Sequence, residues 1–344
     1  MNMAQINRFN NLAFLNGKVA RNRIVLPPMA SETATELGFV TDETLAHYKR
    51  LASAHAGIMI VEYSFVHASG RSEPNQLGIA EDAQIKGLTH LAELIHESDA
   101  LAGIQLSHGG GKSSLELTGR QLMAPSKIAV PVKDRILEVP QEMDLDQILL
   151  WKKSFADAAA RAALAGFDLV ELHSAHGYGL NQWLSPLTNH RTDGYGGILR
   201  NRARLLLETV AAIQATVPNL LISVRMPGQD FLEGGLVLSE MVELAKHLEE
   251  AGVSILHVSS GIGGWRRPQD RTGEGYLVAE ASEIQRATSL PVIGVGGIKS
   301  ARFIDAGLKE RRFSLAAVGR AILEDPGAFR LNCLQNEKRE EVCF

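Results

Sequence analysis

The segment His173-Ser174-Ala175-His176-Gly177-Tyr178-Gly179 gathers two imidazoles and a phenol directly after the apolar run DLVELH, Asp168 to His173. Two imidazole N–H groups can hold one oxygen of a substrate while a tyrosine hydroxyl supplies a proton to another atom. Polar residues satisfied within a turn are the plainer reading, but clustering where a strand should open into a loop favours chemistry. Zinc is poorly matched. The His-x-x-His spacing lacks the Glu of the helical zinc motif, and no third ligand stands nearby.

Other polar groups fall at the ends of apolar runs: Met29-Ala30-Ser31, Glu62-Tyr63, Gln105 with Ser107-His108, Arg225, and Ser259-Ser260-Gly261. An anion signal comes late in the chain, where Gly296-Gly297-Ile298-Lys299-Ser300 follows one run and Gly319-Arg320 another. Glycine amides beside a helix N-terminus, with a forked guanidinium, suit a phosphate dianion. The GKS of SHGGGKSS looks like a Walker loop, yet the glycine that motif needs five residues before Gly111 is replaced by Leu106. Nucleoside triphosphate binding is therefore not expected.

Eight elements must position these groups. Short apolar runs recur at Ile24–Pro28, Gly57–Glu62, Gly103–Ser107, Asp168–His173, Leu221–Arg225, Ile255–Ser259, Val292–Gly296 and Leu315–Gly319. Nearly continuous apolar runs suit parallel strands buried on both faces. Between them lie helical-period segments at Thr44–Ala54, Asp82–Glu97, Leu145–Ala165, Leu199–Ala215, Leu238–Glu250, Ala279–Thr288 and Ala301–Leu308. Alternating strands and helices over this length predict a single (β/α)₈ TIM barrel, α/β in class, with the site at the C-terminal strand ends. A doubly wound open sheet is the alternative, because periodicity does not reveal closure. The stretch from Gly109 to Leu145, after the third strand, is too long for a simple loop and reads as an excursion over the barrel top. Residues 1–335 are expected to form the barrel and 336–344 a solvated tail.

Composition is that of an ordinary soluble globular protein. The chain has 344 residues, 45% hydrophobic and 22% charged, with a formal net charge of −4, which gives no basic field for nucleic acid or an anionic membrane. Cys333 and Cys343 crowd the last dozen positions, so no disulfide framework spans the body. No apolar signal core and no apolar run of membrane-spanning length occurs, so a cytoplasmic protein acting on a small molecule is expected, its oligomeric state open. Glycine, at 32 residues, is in excess and concentrates beyond the strand ends.

The blocks RNRIVLPPMA, GIQLSHGGGKSS, ELHSAHGYGLNQWLSPLTNHRTDGYGGILRNRARLLLETV, VGGIKS and AAVGRAILEDP resemble the Old Yellow Enzyme family of flavin-dependent ene reductases over nearly the whole chain. The resemblance implies FMN at the barrel top, reduced by NADPH or NADH in a ping-pong cycle. It places Gln105 at the pyrimidine edge, Arg225 near flavin N1 and O2, Pro28, Met29 and Ala30 against the ring, and Tyr63 near O4 through its backbone. Gly296, Gly297, Gly319 and Arg320 would hold the phosphate. His173 and His176 would bind the carbonyl of an α,β-unsaturated substrate, and Tyr178 would protonate its α-carbon.

The resemblance also exposes departures. Ala30 stands where the family carries Thr or Cys, which implies a lowered flavin potential and slower reduction by NAD(P)H. Tyr63 replaces a small residue, so its ring either narrows the pocket or projects toward another subunit. Glu32 replaces a substrate-contacting Tyr of one subclass. The chain also stops before the iron-sulfur extension of the dienoyl-CoA reductase branch, so electrons are expected directly from a nicotinamide. The alternatives are a dehydrogenase or demethylase of the same fold, or a non-redox phosphate-binding lyase.

Overall fold

The computed structural model describes residues 6–133, 136–264, 268 and 270–335. The expected tail, 336–344, and Trp265 to Arg267 lie outside the described residues.

Eight parallel strands close into a barrel: β1 (Ile24–Leu26), β2 (Ile58–Phe65), β3 (Leu101–Ser107), β4 (Leu169–His173), β5 (Leu221–Pro227), β6 (Ile255–Ser259), β7 (Val292–Gly294) and β8 (Leu315–Ala317). Each pairs with the next, and β8 returns to β1 through Ala316↔Ile24. Closure decides against the open sheet, because every strand finds a partner on both sides. The runs read from sequence coincide with these strands. Their near-complete burial explains why they lack a clean polar alternation.

The outer helices follow the same pattern: α1 (Asp42–Ala52), α2 (Ile85–His96), α3 (Leu145–Leu164), α4 (Arg204–Thr216), α5 (Leu238–Glu250), α6 (Val278–Ala287), α7 (Ala301–Lys309) and α8 (Arg320–Glu324). In α3 the Asp144 carboxylate accepts from the Gln147 amide at 2.8 Å and caps the helix start. Its apolar stripe, Ile148, Trp151, Phe155, Ala158, Ala159 and Ala162, is buried against the sheet. Gly166, at φ 91°, stops the helix in the left-handed region. The segment expected as one helix over 199–215 divides into a four-residue turn, Leu199–Arg202, and α4.

Two features close the barrel ends. At the bottom, a short antiparallel pair, Leu12–Ala13 with Val19–Ala20, carries Phe14 onto Val25, Ile58, Leu169 and Ile255 in the lower barrel core. At the top, the excursion after β3 contains a 3₁₀ turn (Gly110–Lys112), a helical turn (Leu115–Thr118) and the paired segments Met123–Ala124 and Gln141–Glu142.

Candidate active site

A cavity of about 1110 Å³ opens at the C-terminal strand ends, where a TIM barrel carries its chemistry. Of the residues expected to hold cofactor or substrate, Pro28, Met29, Ala30, Tyr63, Gln105, His173, His176, Tyr178, Arg225, Gly297, Gly319 and Arg320 line it and Gly296 does not. Glu32 is exposed and does not line the cavity either.

His173 ends β4, and His176 and Tyr178 follow in the turn before the buried helix Gly179–Leu184. Their rings share one wall, with His173 5.1 Å from His176 and 4.6 Å from Tyr178 between centroids. His176 has φ 59°, a conformation that costs a non-glycine residue on the order of 1–3 kcal/mol. The surroundings hold it there: its amide donates to Ser260 O at 3.2 Å, and Lys112 Nζ donates to its carbonyl at 2.9 Å. Burial, then the Arg225 charge, holds both imidazoles neutral, well below their ordinary pKa.

Hydrogen bonding orients the two rings. Ser259 Oγ accepts from Arg225 Nη2 at 3.5 Å and lies 2.6 Å from His176 Nε2, a contact that fixes the orientation of that ring. His173 Nδ1 accepts from the Ala175 amide at 3.4 Å, which leaves its proton on Nε2. Each neutral ring carries one N–H.

Beneath this wall lies a buried polar layer inside the barrel. Glu171 on β4 accepts from Gln105 Nε2, Ser223 Oγ and His257 Nδ1, each at 2.9 Å, the donors belonging to β3, β5 and β6. Burial pushes the Glu171 pKa up, but His257, Arg225 and Ser223 more than reverse that and keep it ionised. Burial holds the His257 imidazole neutral, so the buried Arg225 guanidinium balances the carboxylate. A carboxylate only accepts, so this bond fixes the Gln105 amide. Its Oε1 is buried without a partner, as is Arg225 Nε.

The anion end differs from expectation in two respects. Gly296, at φ 124°, does not line the cavity, and its carbonyl accepts from the amides of Gly275 and Tyr276, anchoring that loop. The amides of Lys299 and Ser300, at the start of α7, are taken by the Glu274 carboxylate at 2.8 and 2.9 Å. A helix start attracts the nearest carboxylate. Gly297, Gly319 and Arg320 do line the cavity, and a Cβ on Gly319 would meet Met29 Sδ at 3.0 Å.

A sequence profile of the NADH:flavin oxidoreductase / NADH oxidase family matches residues 9–333. The chain belongs to this family, the Old Yellow Enzyme family. It is 38% identical to an NADH oxidase of Thermoanaerobacter brockii across 90% of this chain, spanning about half (48%) of that longer protein. It is 37% identical to an NADPH dehydrogenase of Bacillus pumilus, covering 91% of this chain and 90% of the relative. An Old Yellow Enzyme homologue from Zymomonas mobilis superposes with a TM-score of 0.82 at 25% identity, over 94% of this chain and 92% of that one. Family membership makes this an FMN-dependent oxidoreductase with a nicotinamide electron donor, and it sets aside the non-redox lyase.

The Old Yellow Enzyme cavity here fits FMN on its own chemistry. Gln105 Oε1 is a buried acceptor for a ring N–H, Arg225 Nε a buried donor for a ring oxygen or nitrogen, and the glycines at 297 and 319 leave room for a phosphate beside Arg320. Ala30 offers the cavity only a methyl group.

Several functional residues escaped the sequence reading. Glu171, Ser223 and His257 were visible as isolated polar residues inside apolar runs, but nothing in one sequence shows that they face one another across three strand pairs. Lys112 was set aside with the false Walker loop. Its ammonium lies 4.0 Å from the Tyr178 ring centroid. Among the described residues, no helix is long and apolar enough to cross a membrane.

Proposed function

We propose that this protein reduces activated C=C bonds of α,β-unsaturated carbonyl compounds, taking electrons from NADPH or NADH. The observation that carries this reading is the wall of His173, His176 and Tyr178: two neutral imidazoles with one N–H each, beside a phenol, on a cavity that also holds Gln105 and Arg225.

Each side chain then has a task. Gln105 Oε1 and the Arg225 guanidinium hold the polar edge of the cofactor, while Gly297, Gly319 and Arg320 take its phosphate. Pro28, Met29 and Ala30 lie against the ring, and the Tyr63 backbone adds to the site through a carbonyl already held by Gln76 Nε2 at 3.0 Å. His173 and His176 donate to the substrate carbonyl oxygen, which draws electron density from the β-carbon. FMN, when bound, supplies a hydride to that carbon after receiving one from the nicotinamide. Tyr178 gives its proton to the α-carbon. Relatives named NADPH dehydrogenase and NADH oxidase support either nicotinamide as donor.

The test is an anaerobic titration. NADPH or NADH should bleach the flavin absorbance of the yellow protein, and an enone such as cyclohexenone should restore it. Tyr178→Phe should slow the second step by about 100-fold or more, within the usual range for a lost general acid. Enone reduction at the full rate in that variant would remove Tyr178 from the mechanism.

A further inference from the structure

Strand β2 is irregular at the cavity rim. Val61 pairs with Ile104 and Ser64 with Leu106, so Glu62 and Tyr63 together oppose the single residue Gln105. Such a bulge inserts one extra residue and re-aims its side chains. Glu62 turns to the outside, where it accepts from the Ser31 amide at 2.9 Å and its own amide donates to the Tyr48 hydroxyl at 2.8 Å. Tyr63 turns inward and lines the cavity. Its ring lies 5.2 Å from that of Tyr178 and 6.3 Å from that of His173. The inward ring answers the question left by the sequence, whether this aromatic narrows the pocket or projects away.

We propose that Tyr63 is a positioning residue for Tyr178 and the wall that limits substrate size: packed against the Tyr178 ring, its hydroxyl would donate to the Tyr178 oxygen as charge develops there, and its ring closes the space beside His173. This rests on the reading of Tyr178 as proton donor. When Tyr178 protonates the substrate α-carbon, its O–H bond breaks, a C–H bond forms, and negative charge is left on the phenol oxygen until solvent returns a proton. Tyr63 and Lys112 stabilise that charge from two sides, one by a hydrogen bond and one by an ammonium 4.0 Å from the ring centroid. Burial first, then Tyr178 itself, holds the Tyr63 hydroxyl above its ordinary pKa, so it stays protonated and available to donate. Among the described residues, the other charged groups facing the pair include Arg225 toward Tyr178 and Glu73 and Glu62 toward Tyr63, with His173 neutral between.

Ultraviolet difference titration of tyrosinate in the FMN-loaded protein tests the hydroxyl. The transition missing from Tyr178→Phe belongs to Tyr178, and Tyr63→Phe should move it to higher pH. Enone reduction at neutral pH should slow about tenfold in the same variant, its alkaline limb moving the same way. A Tyr178 transition that stays in place overturns the positioning role. Tyr63→Ala tests the ring: kcat/KM for a bulky β-substituted enone relative to cyclohexenone should rise about tenfold, the scale on which pocket walls discriminate. An unchanged ratio overturns the wall. Full-rate enone reduction by Tyr178→Phe would instead defeat the proton-donor reading, while the titration still reports whether Tyr63 contacts Tyr178.

Discussion

At the scale of single residues, the site depends on which atoms keep their protons. His173 and His176 are buried beside Arg225, and both effects disfavour the imidazolium. Their pKa values fall well below the ordinary 6.5 or so, so both rings stay neutral through the neutral range. Enone reduction should therefore show no limb near pH 6.5 in kcat/KM, and a transition there that vanished in His173→Asn or His176→Asn would contradict the assignment. Ala30 supplies a second test. It lines the cavity with a methyl group where Thr could donate a hydrogen bond. Ala30→Thr should raise the flavin midpoint potential, measured by equilibration with a reference dye, and an unmoved potential would leave Ala30 without a role in tuning.

At the scale of elements, four neighbouring strands are tied together by one carboxylate. Glu171 accepts from three donors on β3, β5 and β6. In Glu171→Gln one side of the headgroup becomes a donor, so at least one of those buried groups loses its acceptor. A buried polar group left unsatisfied costs about 1–3 kcal/mol, and chemical denaturation of the FMN-free protein should show a loss of that order. The strands and helices were legible because burial on both faces and a 3.6-residue period leave direct marks in the chain. The bulge in β2 was not, because it arises from the register between β2 and β3 and changes no residue type. The Glu274 contact with the start of α7 was hidden for the same reason: a carboxylate 25 positions upstream carries no sign of the amides it will meet.

At the scale of the whole molecule, the N-terminal segment is clamped to the barrel bottom through Asp168. Its carboxylate accepts from Lys18 Nζ at 2.6 Å, His96 Nε2 at 2.8 Å and the Ala102 amide at 2.8 Å. Burial pushes its pKa up, but these partners more than reverse that and hold it below the ordinary value. A depressed carboxylate stabilises the fold above its unfolded pKa of about 3.9, and that contribution is lost as pH falls through the lower folded value. Asp168→Asn should therefore cost about 1–3 kcal/mol at pH 7 in urea unfolding, with the gap to the parent protein closing below about pH 4. A gap that persisted at low pH would mean that packing, not charge, sets the cost.

The sequence by itself determined the eight strands, the helices between them, and the family to which HSAHGYG and the other motifs belong, because burial pattern, caps and motif spacing are properties of neighbouring residues. Almost every cofactor- and substrate-binding residue it suggested lines the cavity, since strand ends of a TIM barrel converge whatever their loops do. Only the tertiary structure decided that the sheet closes, that the Gly296 carbonyl holds the Gly275–Tyr276 loop, and that Glu171 unites four strands. It alone turned Tyr63 onto Tyr178. These outcomes depend on register and on contacts between residues distant in sequence, where the energy resides in a pair of atoms and neither residue alone records it.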